Sequence, residues 1–195
     1  AIALGTPQRE AELLVAALTD WIDSDVVRER GGAEDEAYAR GSRPYRTAGA
    51  LMAEVSELRA VRGVTPELYA RLRPLLCALP TADLSPINVN TLGPDRAVLI
   101  TMLTDGAVSL DAARQVLGRR PPGGWSSIDA FWRDEALADA APGGEAYQQV
   151  QMRTRFFNLE TEVVFGDAEV VSSALFEQDA AGDVRLVARR WTRDE

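Results

Sequence analysis

Apolar residues recur at helical spacing through most of the chain. In residues 7–22 they fall on one stripe, and Thr6 and Pro7 suit the start of a helix. Gly63 and Thr65-Pro66 mark the end of a second helix and the start of a third. The second helix would span residues 47–60, and the third would run from Thr65 towards Pro80. The same reasoning predicts further helices over 94–104, 110–118 and 128–138, with Ser109 and Ser127 as caps of the last two.

The periodicity changes to two near residue 155. From Phe157 to Phe165 apolar residues alternate with polar ones, which predicts a half-buried strand. Turn residues then separate two further strands, over 168–177 and 184–191. The pattern predicts an α+β fold: a helical domain over residues 1–153, then antiparallel strands over 154–195. Three strands make a thin sheet, so we expect its apolar face to need a cover from elsewhere.

Composition excludes several kinds of active site. The chain has no histidine and one cysteine, Cys77, so catalytic triads, a zinc site and an internal disulfide are disfavoured. The apolar neighbours of Cys77 indicate a buried thiol. The formal net charge of −9 opposes binding to nucleic acid or to an anionic membrane surface.

An enzyme would have to rely on carboxylates. Glu54 and Glu57 are three apart on a predicted helix, but such pairs usually lie on a solvated face. We find neither a glycine-rich phosphate loop nor a nucleophile elbow, and we expect a protein that is not an enzyme.

Five short segments follow one another in an order and at a spacing that resemble a known family. They are Asp20-Trp21-Ile22-Asp23-Ser24-Asp25 with Gly32-Ala33-Glu34-Asp35 and Tyr38, then Arg43-Pro44-Tyr45-Arg46, Ser56-Glu57-Leu58-Arg59, Ala78-Leu79-Pro80 and Ile87-Asn88-Val89-Asn90-Thr91. Together they resemble protein K of the type II secretion system, over about residues 10–195.

The resemblance implies a role in secretion. Protein K is a minor pseudopilin, in which a long N-terminal helix packs on a small antiparallel sheet and a helical domain is inserted between early and late strands. Residues 154–195 would be the late strands, and the N-terminal helix and first strands would lie outside this sequence. The implied partners are the minor pseudopilins I and J, at the pseudopilus tip on the periplasmic face of the inner membrane of a Gram-negative bacterium.

A helix-hairpin-helix module for nucleic acid is the alternative. Residues 87–91, followed by two predicted helices, also resemble that architecture. However, the turn Leu103-Thr104-Asp105-Gly106-Ala107 would place Asp105 towards a phosphate, which it would repel. We interpret Asn88 and Asn90 as residues that make local turn bonds.

A calcium site is predicted where helix 7–22 ends. Calcium takes six to eight oxygen ligands. Asp23 and Asp25 alternate at the helix end, Gly31 and Gly32 allow the chain to return, and Glu34 and Asp35 follow. The spacing is not that of an EF-hand, and composition alone favours a solvated acidic loop. The resemblance also implies calcium in the helical domain, so the predicted ligands are Asp23, Asp25, Glu34 and Asp35.

Overall fold

The fold described here is that of a computed structural model covering residues 1–40, 43–138, 140 and 143–192. The chain divides into two compact units, Ala1–Asp83 and Leu84–Glu195. Helices precede an antiparallel sheet of three strands, which confirms the α+β class. The domain boundary predicted after residue 153 marks the change from helices to strands and stays a prediction.

The first unit is built around one long helix. Its helices are α1 (Gln8–Ile22), α2 (Asp35–Tyr38) and α3 (Pro66–Leu72), with 3-10 turns at Ile2–Leu4, Val55–Ala60 and Arg73–Leu75. The Thr65 hydroxyl accepts a hydrogen bond from the Leu68 amide and so caps α3. The core of this unit contains Leu14, Ala17, Trp21, Ala33, Tyr38, Leu58, Val61, Leu68 and Leu72.

The helix predicted over residues 47–60 is wrong for its first half. Only Val55–Ala60 is helical, as a 3-10 turn. Glu54 and Glu57 form a reciprocal capping box there, and Glu57 Oε1 also accepts from the Ala53 amide at 2.7 Å. These bonds fix the helix start after Glu54, so Leu51 lies outside the helix and is 42% exposed.

Helices of the second unit enclose a separate core. They are α4 (Val98–Leu103), α5 (Leu110–Gly118), α6 (Ile128–Trp132) and α7 (Gly144–Gln149), with 3-10 turns at Pro94–Arg96 and Glu135–Leu137. Ser109 caps α5 and Ser127 caps α6, as the sequence pattern indicated. Phe131 is fully buried at the centre of this core, in edge-to-face contact with Trp125 and Trp132.

Two small β elements belong to this unit. A parallel pair, β1 (Ile87–Asn88) with β2 (Val150–Gln151), ties the start of the helices to their end. The antiparallel sheet follows, with β3 (Phe156–Phe165), β4 (Ala168–Gln178) and β5 (Val184–Arg190) in the order β3-β4-β5. The register pairs Phe157 with Phe176 and Val163 with Val170, which places the alternating apolar residues on one face.

The environment predicted for Cys77 can also be checked against the fold. Cys77 is exposed, so its prediction as a buried thiol is wrong; α3 ends at Leu72 and the 3-10 turn after it ends at Leu75, so Cys77 has no helix face on which to be buried. Among the described residues, no helix combines the length and apolar character that crossing a membrane requires.

Candidate functional site

Three of the four predicted calcium ligands come together in the first unit. One carboxylate oxygen from each of Asp23, Asp25 and Glu34 lies within 4.8 Å of the others. Asp23 follows the last residue of α1, and Glu34 precedes the first residue of α2. The chain between the two helices therefore folds back so that both helix ends contribute to one acidic cluster.

Asp35 has a different set of contacts. Its Oδ1 accepts hydrogen bonds from the Thr47 amide and hydroxyl, both at 2.9 Å, and its Oδ2 lies 3.8 Å from Arg46 Nε. The bonds from Thr47 lower the pKa of Asp35 below its ordinary value. Asp35 thus fastens the chain after residue 46 to α2, and it is not one of the three clustered carboxylates.

The cluster has oxygens without protein partners. Asp23 Oδ1 and Glu34 Oε1 are buried and have no hydrogen-bond partner among the described residues. Desolvation raises the pKa of Asp23, and the charges of Asp25 and Asp20 raise it further. Desolvation also raises the pKa of Glu34, followed by the charges of Asp20 and Asp23. The carboxylates therefore lack a positive partner within the described chain.

The helix adds to this unfavourable negative potential. The carboxyl end of an α-helix carries a partial negative charge, and anions near it are destabilised. Asp23 caps that end of α1, and the last turn of α1 contains no basic residue. A bound cation would offset both the helix dipole and the mutual repulsion of the carboxylates.

The spacing of the carboxylates fits calcium. With bonds of about 2.3–2.6 Å, oxygens on opposite sides of a calcium ion lie about 4.6–5.2 Å apart. The three oxygens lie within 4.8 Å of one another, so they are close enough for one calcium ion to reach all three. Together with the unpartnered oxygens, this makes Asp23, Asp25 and Glu34 a suitable donor set, to which backbone carbonyls and water would add the remaining ligands.

Asp20 lies in this region, but the sequence reasoning did not include it in the site. It is 1% exposed, and its Oδ1 accepts a hydrogen bond of 2.9 Å from the Glu29 amide. Its position, three residues after buried Ala17, places a carboxylate on the apolar stripe of α1. A charged residue on a buried stripe is the signal that could have found it.

The acidic pair considered for catalysis has a structural role. Glu54 and Glu57 accept backbone hydrogen bonds in the capping box, and Glu54 Oε2 also accepts from the Ser56 hydroxyl at 2.9 Å. Their oxygens are therefore occupied in holding a helix start.

The asparagine motif is also structural. Asn88 Oδ1 accepts from the Asn90 amide at 3.0 Å, which confirms the predicted turn bond. Asn90 also bonds across to Trp125, donating to its carbonyl at 3.0 Å and accepting from its amide at 2.8 Å. This second contact joins segments 35 residues apart, which local sequence reasoning had no means to predict.

The hairpin between α4 and α5 does not offer its amides to a phosphate. The amides of Asp105, Gly106 and Ala107 donate to the carbonyls of Met102, Thr101 and Thr104 at 2.8–3.0 Å. Helix-hairpin-helix binding requires such amides to be free. The geometry of this turn therefore argues against the nucleic-acid alternative.

An exposed apolar face is the second candidate for function. On the face of the sheet defined by Phe157, Leu159, Val163, Val170 and Leu186, each of these side chains is 44–54% exposed. The strands were predicted correctly. Ser172 and Ala174 on the same face are buried, but the five larger side chains are only about half buried within the described part of the chain. Exposed apolar surface of this kind is characteristic of an interaction site.

Comparison with known proteins identifies relatives for both units. Family models described as "Type II secretion system (T2SS), protein K" match residues 1–81 and residues 87–153. The first match ends and the second begins close to the boundary between the compact units, which lies between residues 83 and 84. The resemblance found in the sequence motifs is thereby confirmed.

Individual proteins agree with the family match. Type II secretion system protein K of Dickeya chrysanthemi is 37% identical over 190 residues, which cover 97% of this chain and 51% of that protein. The protein K of Klebsiella pneumoniae is 37% identical over 98% of this chain and 59% of its own length. The chain thus spans about half the length of these relatives.

A solved structure has the same fold. A chain in the crystal structure of the GspK-GspI-GspJ complex of the type 2 secretion system from enterotoxigenic Escherichia coli matches with a TM-score of 0.82 and 30% identity. The match covers 97% of this chain and 66% of that chain.

Proposed function

The chain belongs to the protein K family of the type II secretion system, and from that membership we propose that it acts as a minor pseudopilin. Its role would be structural: it would form part of the pseudopilus that supports export of proteins across the outer membrane. The observation that carries this proposal is the match of 97% of the chain to a chain of the GspK-GspI-GspJ complex.

The same likeness supports a choice of partners. The related complex contains three pseudopilins, and the fold of this chain resembles one of its chains with a TM-score of 0.82. We propose that this protein joins the minor pseudopilins I and J of its own secretion system. Its helical region, over residues 1–153, would be too bulky to leave room for a further subunit above it, so it would sit at the tip.

The sheet supports a pilin-type architecture. Its apolar face, with Leu159 and Val163 52–54% exposed, is suited to pack against a long apolar helix. We propose that the N-terminal pilin helix of the full-length protein covers this face and anchors the protein on the periplasmic side of the inner membrane.

A role without catalysis agrees with the chemistry of the chain. There is no histidine, and the carboxylates of Glu54 and Glu57 are used in a helix cap. The proposed work of the protein is therefore done by its surfaces, not by a reacting group.

Binding to the partners tests this function. Tagged protein with the full periplasmic region would be mixed with soluble domains of I and J, singly and together, and complexes measured by pull-down and by analytical ultracentrifugation. We expect a complex containing all three chains. If the full periplasmic region binds neither partner nor the pair at micromolar concentrations, the proposal is refuted.

We propose calcium as the cofactor of the acidic cluster. Asp23, Asp25 and Glu34 would hold it, and the ion would supply the positive charge that the unpartnered oxygens lack. Since the cluster joins the end of α1 to the start of α2, bound calcium would stabilise the fold of the loop between them. Asp35 would act beside the site, through Thr47.

Thermal unfolding tests the cofactor. A ligand that binds only the folded state at 100 times its Kd stabilises by about 2.7 kcal/mol, which for a unit of 83 residues raises Tm by about 11–22 °C. We expect such a rise between chelator and millimolar calcium, and its loss in the Asp23→Ala, Asp25→Ala double variant. Glu12→Ala, on the exposed face of α1, is the matched control and should keep the rise.

A further inference from the structure

Only one of the two carboxylate oxygens of Asp20 has a hydrogen-bond partner among the described residues. The residue is 1% exposed, and Oδ1 accepts the Glu29 amide at 2.9 Å. Oδ2 is buried and has no hydrogen-bond partner among the described residues. A buried carboxylate oxygen without a donor is strongly unfavourable, so a donor from outside the described chain is expected.

The part of the chain that the structure describes supplies no cation for this oxygen. None of the ion pairs among the described residues involves Asp20. Nor is Asp20 one of the carboxylates whose oxygens lie within 4.8 Å of one another, although it precedes Asp23 by three residues. Asp20 is therefore not one of the clustered carboxylates that would ligate the ion directly.

Gly32 packs directly against this oxygen. A Cβ at position 32 would lie 2.8 Å from Asp20 Cγ, nearer still to Oδ2, and 3.0 Å from the carbonyl oxygen of Ala16. Any side chain there would press on the carboxylate. Because position 32 is glycine, the loop that carries Glu34 can approach α1 at the place where the buried Asp20 carboxylate lies.

We propose that Asp20 Oδ2 accepts a hydrogen bond from a water molecule bound to the calcium ion. This inference rests on the calcium site proposed above and assigns that site a fixed outer carboxylate. Calcium commonly keeps water among its six to eight ligands, at about 2.3–2.6 Å. With a hydrogen bond of about 2.7 Å, such a water spans about 5 Å from the ion to an acceptor. Asp20 is thus a positioning residue, which orients the water and adds negative charge behind the ligands.

Terbium luminescence tests this arrangement. Tb³⁺ would be used as a probe of the calcium site, excited through Trp21, the residue next to Asp20, and its lifetime compared in H₂O and D₂O to count bound waters. We expect at least one bound water in the wild-type chain. In Asp20→Asn, which can keep the bond to the Glu29 amide but replaces Oδ2 by a donor, we expect one water fewer and calcium affinity reduced about 10–100-fold. Glu12→Gln, on the exposed face of the same helix, should change neither quantity.

Each other outcome has a definite meaning. A wild-type water count of zero overturns the inference without any variant, even if Asp20→Asn does not fold. An unchanged count and affinity in folded Asp20→Asn shows a purely structural carboxylate, and a count that rises by one shows that Asp20 ligates the ion directly; both overturn it. Absence of sensitised terbium emission, with no displacement by calcium, overturns the calcium site itself and is distinguishable from these results.

Discussion

Replacing Gly32 by alanine tests the closest approach between α1 and the loop that follows it. The added Cβ would meet the Asp20 carboxylate, with Cγ at 2.8 Å, and the Ala16 carbonyl oxygen at 3.0 Å. Neither neighbour can move freely, because Ala16 belongs to the helix backbone and Asp20 is buried and bonded to the Glu29 amide. The helix or the loop must therefore shift.

The size of this effect follows from overpacking. An extra methyl group in a well-packed region costs about 1–3 kcal/mol. Each kcal/mol lowers Tm by about 4–8 °C for a domain of 60–100 residues, and the first unit has 83 residues. Gly32→Ala should therefore lower the Tm of that unit by about 4 °C or more, measured by circular dichroism or calorimetry without calcium.

A control in the other unit should not lower Tm. Gly118 is the last residue of α5, and a Cβ there would meet no described heavy atom within 4 Å beyond its chain neighbours and the backbone of its own helix. Gly118→Ala should leave stability unchanged or raise it by up to about 1 kcal/mol. If Gly32→Ala melts within 1 °C of the wild type, the packing of the loop against α1 is not as described, and the argument about Asp20 Oδ2 loses its geometric basis.

Three further predictions concern other parts of the structure. The raised pKa values of Asp23 and Glu34 mean that the metal-free folded protein binds protons more tightly than the unfolded chain, so its stability falls as pH rises above the ordinary pKa values of 3.8 and 4.5. The calcium-induced rise in Tm should therefore be larger at about pH 7 than at about pH 5. An equal rise at both pH values would contradict this prediction. The hydrogen bond from Arg155 lowers the pKa of Glu177, so the ionised carboxylate stabilises the sheet at pH values above its ordinary pKa of 4.5, and this stabilisation is lost as pH falls. Glu177→Gln should lower Tm at neutral pH, and the difference in Tm from the wild type should become smaller in acid. Phe131→Ala should cost about 3–5 kcal/mol in urea unfolding, because the ring is fully buried, and a loss under 1 kcal/mol would show that the second core is not packed around it.

Local patterns predicted most of the elements. The helices at 110–118 and from Thr65 were found because serine and threonine caps fix their starts, and both caps are observed. The strands were found because alternation is a property of the strand itself. The failure at residues 47–54 arose because an apolar residue, Leu51, continued the helical period where the bonds of Glu57 had already fixed the cap.

The acidic site was predictable in part. Asp23, Asp25 and Glu34 could be grouped because they flank a short loop with two glycines. Asp35 could not be separated from them, since its bonds to Thr47 depend on a segment 12 residues away. Asp20 was missed because its role depends on tertiary burial and on the approach of Gly32.

The organisation of the chain connects these observations. The family models match residues 1–81 and 87–153, and each region contains a helical segment, a turn and a second helix: Val55–Ala60 with α3, and α4 with α5. Both turns contain a glycine at positive φ, Gly63 and Gly106, yet among the described residues only the first unit carries an acidic cluster. The second unit continues into the sheet with the exposed apolar face.

If the two units share an architecture but differ in these additions, then removing calcium should affect the stability of the first unit, and mutations on the sheet face should affect assembly. The proposed metal site and the proposed assembly surface are therefore separable by experiment.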